Sequence, residues 1–456
     1  MISNEISNLN LLGLSFGLLM AVLMILVPRR YAAIPFLMGA CYVTLGQRLV
    51  VLTLDFTMFR ILIFFGLLRL FLRWEIYSLK LNAIDKAIIW YVIASVATYT
   101  ILWGTFESFI NRIGLAYNVI GIYFLFRFLI RDFEDVNRII RSMAVIIVPL
   151  GIAALLENAT GRNIFAFLGG ISEFSAIRDG KLRCQVTFGD PILAGTFAAT
   201  LMPLFVGLWF RNGFARKLGI IGFVASSIIT YLSSSSGPAI VYLFGIIGFM
   251  MWPFRRMMRT VRWGILITII FLHIIMKAPV WALMWRMSQL VGGTGYHRYE
   301  LMDAFISHFW EWWLLGTTYT AHWGPFVLPN TPNMVDITNQ YILVGIQGGL
   351  LSMILFIAVI AYSFRAIGRA MNASQNQQVF IRVILWSMGI ALFSHTASYI
   401  SVAYFDQLVV FWYMLLAMVS ACEGIFSIRG DPVKDEESRL RTFGKNYLTP
   451  IHNRNL

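Results

Sequence analysis

The sequence predicts an all-α membrane protein, a polytopic helical bundle of about thirteen transmembrane helices. Three observations predict it. Apolar residues make up 59% of the 456-residue chain and charged residues only 13%, and the mean hydropathy is +0.73. A soluble domain is about half apolar and a quarter charged, so one aqueous core cannot absorb this imbalance. The apolar runs are continuous over roughly 20 residues, the length a helix needs to cross a bilayer. They do not alternate as barrel strands do, and in lipid only helices or closed barrels satisfy the backbone.

The spans fall at 10–28, 31–46, 52–72, 84–103, 108–128, 139–157, 190–210, 217–233, 237–253, 261–278, 340–363, 381–400 and 407–427. The second is the shortest. Arg29/Arg30, Arg69 to Lys86, Arg127 to Arg141, Arg211 to Lys217, Arg255 to Arg262, Arg365 to Arg382 and the tail fall on one side. Together they hold about 26 of the 36 Lys and Arg residues, which places that side in the cytoplasm. The N-terminus is then outside and the C-terminus inside. Met1-Ile-Ser-Asn-Glu5 lacks a positive n-region and a cleavage site, so the first span reads as retained. Residues 1–157 and 190–278 are N-terminal and central helices, separated by an outside loop, 158–189. A larger outside loop, 279–339, lies between the tenth and eleventh spans. Residues 340–427 form the last helices, and 428–456 a polar cytoplasmic tail.

The formal charge of +14 is explained by topology and lipid headgroups, and no nucleic-acid platform is present. Cys41, Cys184 and Cys422 give neither a disulfide framework nor metal-ligand spacing. No Walker A loop or His-Glu-x-x-His is found, and Gly292-Gly-Thr-Gly295 follows no strand. No metal and no cofactor are expected.

Charge on the outside is scarce, so each instance is informative. The first loop carries Arg162, Glu173, Arg178, Asp179, Lys181 and Arg183. The second carries Arg286, His297, Arg298, Glu300, Asp303, His308, Glu311, His322 and Asp336. Arginine there runs against the positive-inside bias, and its fork suits a diphosphate. The competing reading of any one arginine is a headgroup contact or a local ion pair. Asp190 before Pro191 reads first as a helix cap. Ser233 to Gly237 reads as a tight turn before a sugar-binding one. Tyr299 to Leu315 reads as a helix with Phe309, Trp310, Trp312 and Trp313 anchored in the headgroup layer, with sugar stacking by Trp310, Trp312 or Trp323 as the alternative. His273 and His395, within spans, read as satisfied hydrogen bonds.

Three stretches together resemble the O-antigen ligase and O-antigen polymerase superfamily of bacterial membrane glycosyltransferases. Arg178-Asp-Gly-Lys-Leu-Arg183 runs into Phe188-Gly-Asp-Pro-Ile-Leu-Ala-Gly195 and Pro203. His297-Arg-Tyr-Glu-Leu-Met302 precedes Trp312-Trp-Leu-Leu-Gly316. Asp336-Ile-Thr-Asn-Gln-Tyr-Ile-Leu343 leads to Gly345, Gly348 and Gly349. The likeness covers roughly 150–365, in order and spacing. Met302 stands where tryptophan is common, and Thr338 where the family usually carries a histidine beside Asn339.

The resemblance implies an inner-membrane enzyme of surface polysaccharide biosynthesis. It would transfer a glycan from a polyprenyl (undecaprenyl) diphosphate to a glycan or lipid acceptor at the periplasmic face, with membrane lipids and no nucleic acid as its other partners. Arg298 and Arg183 are expected to stabilise the departing diphosphate. With Thr338 unable to act as a base, the candidates for that role are Asp336, His297, Glu300 and His322, with His297 and Asp336 favoured. Arg178, Glu300, His322, Asn339 and Trp312 are expected to bind substrate. A precursor flippase would place charge near the bilayer midplane, where these spans have little. A non-catalytic assembly partner is the third reading.

Overall fold

The computed structural model describes residues 10–44, 48–51, 54–291, 295–328, 331–405 and 407–429. The N-terminal residues 1–9, the glycine-rich run 292–294 and the tail beyond 429 lie outside the described residues, so the readings made of them stand untested.

The expected spans emerge as helices: α1 (Leu11–Leu26), α2 (Ala33–Tyr42), α3 (Met58–Leu72), α4 (Ala83–Trp103), α5 (Phe106–Leu129), α6 (Phe133–Thr160), α7 (Pro191–Leu208), α8 (Phe214–Leu232), α9 (Ser236–Met250) and α10 (Met258–Ile275). The larger loop holds α11 (Ala282–Val291), α12 (Gly295–Ser307) and the single turn α13 (Phe309–Trp312). It is followed by α14 (Gln340–Ala373), α15 (Val379–Ser398) and α16 (Gln407–Arg429). Strands form only three antiparallel hairpins among the described residues: β1 (Arg48–Val51) with β2 (Leu54–Thr57), β3 (Ala176–Arg178) with β4 (Lys181–Arg183), and β5 (Val327–Leu328) with β6 (Thr331–Val335). Among the described residues nine helices are long and apolar enough to cross a bilayer, and α1 and α9 are shorter apolar helices. The chain is therefore an all-α, membrane-embedded protein.

Hydrogen bonds give the bundle two ends. At the first, Arg29 pairs with Asp135 (2.8 Å), Arg69 with Glu75 (2.7 Å), Arg127 with Asp85 (3.4 Å), and Arg211 with Glu134 (3.0 Å). These cations all belong to the basic loops that the sequence puts together. At the second end lie the two long loops. The helix α2 has only ten residues, about 15 Å of rise, half a hydrocarbon core. Arg29 lies beside the α5–α6 turn, while Thr44 Oγ1 donates to Gly169 O in the first long loop (2.7 Å). The third expected span begins late, because residues 54–57 form β2 before α3 starts.

The central helix is α7, whose residues are almost all buried between α8, α9 and α15. Asp190 caps it, accepting from Ile192 N at 2.7 Å, with Pro191 in the first turn, as capping chemistry requires. In contrast α10 has no buried residue; its apolar surface has lipid as its natural cover.

The larger loop folds back into the bundle. At Gly349 the helix α14 breaks, with φ of +68°. Breaking a helix in an apolar interior frees backbone groups that water cannot reach. The segment Trp313 to Thr317 supplies their partners: Leu350 N donates to Trp313 O (2.8 Å) and Thr317 N to Ile346 O (2.8 Å). The approach is so close that a Cβ on Gly316 would strike Ile346 O, and one on Gly349 would strike Leu314 O. Gly316 has φ of +101°, so glycine is needed at both positions for conformation and for space. Trp312, Phe305, Trp323, Leu301 and Ile346 form a second apolar core beside this junction.

Gly316→Ala and Gly349→Ala are each expected to cost about 1–3 kcal/mol from backbone strain alone. Gly368→Ala, on an exposed helical surface with nothing within 4 Å, is expected to be neutral or stabilising by about 0.4–1 kcal/mol. Thermal unfolding of the three variants in one detergent checks this; equal melting temperatures would contradict the clasp.

Candidate functional site

The first long loop is braced by one carboxylate that the sequence reading missed. Glu157, 1% exposed at the end of α6, accepts from Ser175 Oγ (3.0 Å), Gln185 N (3.0 Å) and Val186 N (2.9 Å). Asn163 Nδ2 donates to Val186 O (2.6 Å). These bonds close the base of the β3–β4 hairpin. Its tip is Asp179-Gly180, both at positive φ (51° and 73°), the two-residue turn whose twist matches a hairpin. Arg178 and Lys181 are therefore paired across the tip, and Arg183 faces Ala176.

The hairpin docks on the turn between α8 and α9. Cys184 N donates to Leu232 O (3.0 Å), Ser234 Oγ to Leu182 O (2.9 Å), and Arg183 Nη2 to Ser235 Oγ (2.8 Å). Ser235 precedes α9 without capping it through its side chain. The N–H groups of Ser236 and Gly237 thus have no acceptor within their own helix. On the other side of this turn stands Arg298 of α12. Its Nη2 lies 3.8 Å from where a Cβ on Gly237 would sit, and Ser401 Oγ is 3.3 Å from the same point.

Arg183, Arg298 and Arg178 thus meet around the start of α9. Arg298 makes no hydrogen bond and no ion pair with any described residue. The Nε atoms of Arg183 and Arg298 are both buried without an acceptor. Burial first, then the charge of Arg178, pull the Arg298 guanidinium below the usual arginine pKa. For Arg183 burial again dominates, the Asp190 carboxylate opposes it, and Arg178 adds to it. Arg178 itself has an exposed neighbour, Asp179, at 3.8 Å, a weak pairing in water. Buried guanidinium donors without acceptors, in one place with free helix N–H groups, are the composition of an anion site.

The other expected residues divide. Glu300, on α12, has its Oε2 buried and unpartnered, with Gly324 packed beside its carboxyl. His297 is held by its surroundings. It is 7% exposed, its Nε2 is bonded to Asp336 O (3.0 Å) and its ring packs edge-on to Phe326 (4.3 Å). A carbonyl only accepts, so Nε2 carries the proton, and the ring ties α12 to the strand leading into α14. The bond fixes the ring's position and leaves Nδ1 as its basic nitrogen. Asp336 contributes its backbone at both ends of this tie: its N–H donates to Phe326 O (2.8 Å).

Asn339 is also structural. Its Oδ1 caps α14 by accepting from Tyr341 N (2.9 Å) and Ile342 N (3.2 Å), and its Nδ2 donates to Ile400 O (3.2 Å). Trp312 is 2% exposed, stacks on Phe305 at 4.0 Å and donates its Nε1 to Phe305 O. It is core, not the expected sugar platform, and Trp323 is buried likewise (4% exposed). Trp310 remains exposed at the surface. His322 is bound to Glu311 (3.0 Å), apart from any described contact with the arginines. Next to Asn339, Thr338 has a buried Oγ1 without a partner.

Comparison with known proteins finds no family model that matches the chain and no matching curated protein. The site therefore rests on its own geometry. Cys184, the cysteine nearest to it, is buried, and burial followed by the charge of Glu157 raises its thiol to about 12; it is protonated and inert at neutral pH. His395 accords with its sequence reading, bonded through Nδ1 to Tyr404 Oη (2.7 Å). His273 instead makes a local contact, with Val280 N donating to its Nδ1 at 3.3 Å.

Glu157→Gln removes one acceptor and turns an N–H toward other donors, at a cost of about 1–3 kcal/mol. Hydrogen exchange is expected to speed up across residues 175–186 and stay unchanged at the Arg29–Asp135 end. Uniform acceleration through the chain would show that the carboxylate supports the whole fold and not the hairpin.

Proposed function

We propose that the chain is a membrane glycosyltransferase of the O-antigen ligase and polymerase kind, moving a glycan from a polyprenyl diphosphate to an acceptor hydroxyl. The observation that carries this reading is the convergence of Arg183, Arg298 and Arg178 on the start of α9, with two buried Nε groups lacking acceptors. In this reading the chain crosses the bacterial inner membrane about thirteen times. The N-terminus and both long loops, the larger between the tenth and eleventh crossings, face the periplasm, and the tail is cytoplasmic. The ten basic residues outside the cytoplasmic set include all three arginines of the site.

The reaction needs no nucleotide, because the leaving group is already a diphosphate. The acceptor oxygen attacks the anomeric carbon as the bond from that carbon to the diphosphate oxygen breaks. The leaving oxygen gains negative charge, and Arg183 and Arg298 are held where such charge is stabilised without reorganisation. Arg178, at the exposed hairpin tip, steers the anion inward. The acceptor hydroxyl gives its proton to a general base. Glu300, whose buried Oε2 accepts from no described residue, and His297, through Nδ1, are the candidates for that role. Thr338, in the place of the family histidine, takes no part in proton transfer.

The test is genetic complementation. The gene is deleted in its host, the surface glycan is blotted, and wild type, Arg298→Ala and Arg183→Ala are re-expressed at matched membrane levels. Deletion is expected to abolish long-chain or attached glycan while lipid-linked precursor accumulates on the periplasmic side. Each arginine variant is expected to restore less than about 1% of product, since losing one positioned charge in such a site costs about 10²–10³ in rate. Precursor held on the cytoplasmic leaflet would favour a flippase. Full rescue by both variants would remove the arginines from the site.

A further inference from the structure

A second cluster sits in the larger loop, separate from the arginines, and nothing in the transferase chemistry uses it. The chain breaks helix at His308, between α12 and α13. Glu311 follows one turn later, and His322 arrives from the short turn Ala321–Trp323. One ligand atom from each of these three side chains lies within 4.8 Å of the other two. His322 Nε2 and Glu311 Oε2 are already 3.0 Å apart. Donors bonded at 2.0–2.1 Å around a tetrahedral cation stand about 3.3 Å from one another. Small side-chain rotations bring the third donor in.

The surroundings fix these donors as a ligand set requires. His308 Nδ1 is bonded to Ala304 O at 2.8 Å. The carbonyl only accepts, so Nδ1 carries the proton and Nε2 presents its lone pair. A ligating histidine characteristically uses its second nitrogen in this way. Trp323 Nε1 donates to Glu311 Oε2 (3.2 Å) and orients the carboxylate. The His308 ring stacks on Trp323 (5.6 Å) and the His322 ring on Tyr319 (5.2 Å). Glu311 and His322 keep 39% and 37% of their side-chain surface exposed, which leaves a side open to water.

We propose that His308, Glu311 and His322 bind a divalent transition-metal cation of the zinc class, cross-linking the α12–α13 junction to the Tyr319–Trp323 segment. Two imidazoles and one carboxylate match borderline cations such as Zn²⁺; Mg²⁺ and Ca²⁺ prefer all-oxygen sets. The fourth position belongs to water. Little in the sequence announced this set, because His308 and Glu311 lie three apart while His322 is eleven residues on.

The experiment uses the full chain, purified in detergent with an affinity tag free of histidine, and titrated with Zn²⁺ against a chromophoric chelator. Wild type is expected to take up one Zn²⁺ per chain, with no competition from millimolar Mg²⁺. Glu311→Gln and His322→Ala are each expected to bind at least tenfold more weakly. Zn²⁺ is expected to raise the melting temperature of wild type and leave that of His308→Ala/His322→Ala unmoved. Glu311→Gln preserves shape, and its metal-free melting curve shows that it is folded. No stoichiometric uptake by wild type, or equal uptake by the double variant, would overturn the site. Either result leaves the transferase reading as it stands, because no arginine of that site takes part here.

Discussion

An apolar bundle set in lipid must satisfy every backbone group that it frees, and this constraint organises the end of the molecule where the long loops lie. The break in α14 at Gly349 is possible because Trp313 to Thr317 enters and bonds to both sides of it. That insertion fixes the loop's path. It sets the second apolar core under α12, and α12 in turn presents Arg298 to the start of α9. A helix interruption at depth, occupied by a loop from the aqueous side, thus carries a charged side chain to a defined place on a lipid-embedded scaffold.

Charge is met differently at the two ends of the bundle. At the end opposite the long loops, Arg69 pairs with Glu75, Arg127 with Asp85 and Arg29 with Asp135. At the loop end, Arg183 donates to one hydroxyl, and the Arg298 side chain bonds to no described residue. Removing guanidiniums from water beside one another costs free energy that the fold does not recover internally. An anion bridging them, with the N–H groups of α9, would recover it.

Much of the fold was legible because hydropathy reports lipid contact directly, and each expected span meets a helix near its stated bounds. The exceptions have physical reasons. The helix in the second expected span covers only Ala33–Tyr42, and the hydropathy of 31–46 does not reveal where it stops. Arg183, Arg298 and Arg178 drew attention in the sequence because arginine in loops read as outside runs against the positive-inside bias. Their grouping was not, since it depends on a serine turn, Ser233 to Gly237, whose residues also suit an ordinary turn. Glu157 was hidden inside an apolar run. Asp179-Gly180 carried a hairpin signal that went unread. Trp312 misled because tryptophan near a membrane suits an interface as well as a core; only the Gly345–Gly349 junction beside it decides for the core. Nothing near His297 in sequence signals its tie to Asp336 O, which spans 39 residues.

The central claim is that the three arginines form a diphosphate site. Its most direct test is equilibrium binding of a short polyprenyl diphosphate to the purified chain in detergent, compared with the monophosphate and with Arg298→Gln. Selective binding of the diphosphate, weakened at least tenfold in Arg298→Gln while the fold's melting temperature is kept, is the predicted result. Equal affinity of wild type and Arg298→Gln, or no preference for diphosphate over monophosphate, would contradict it.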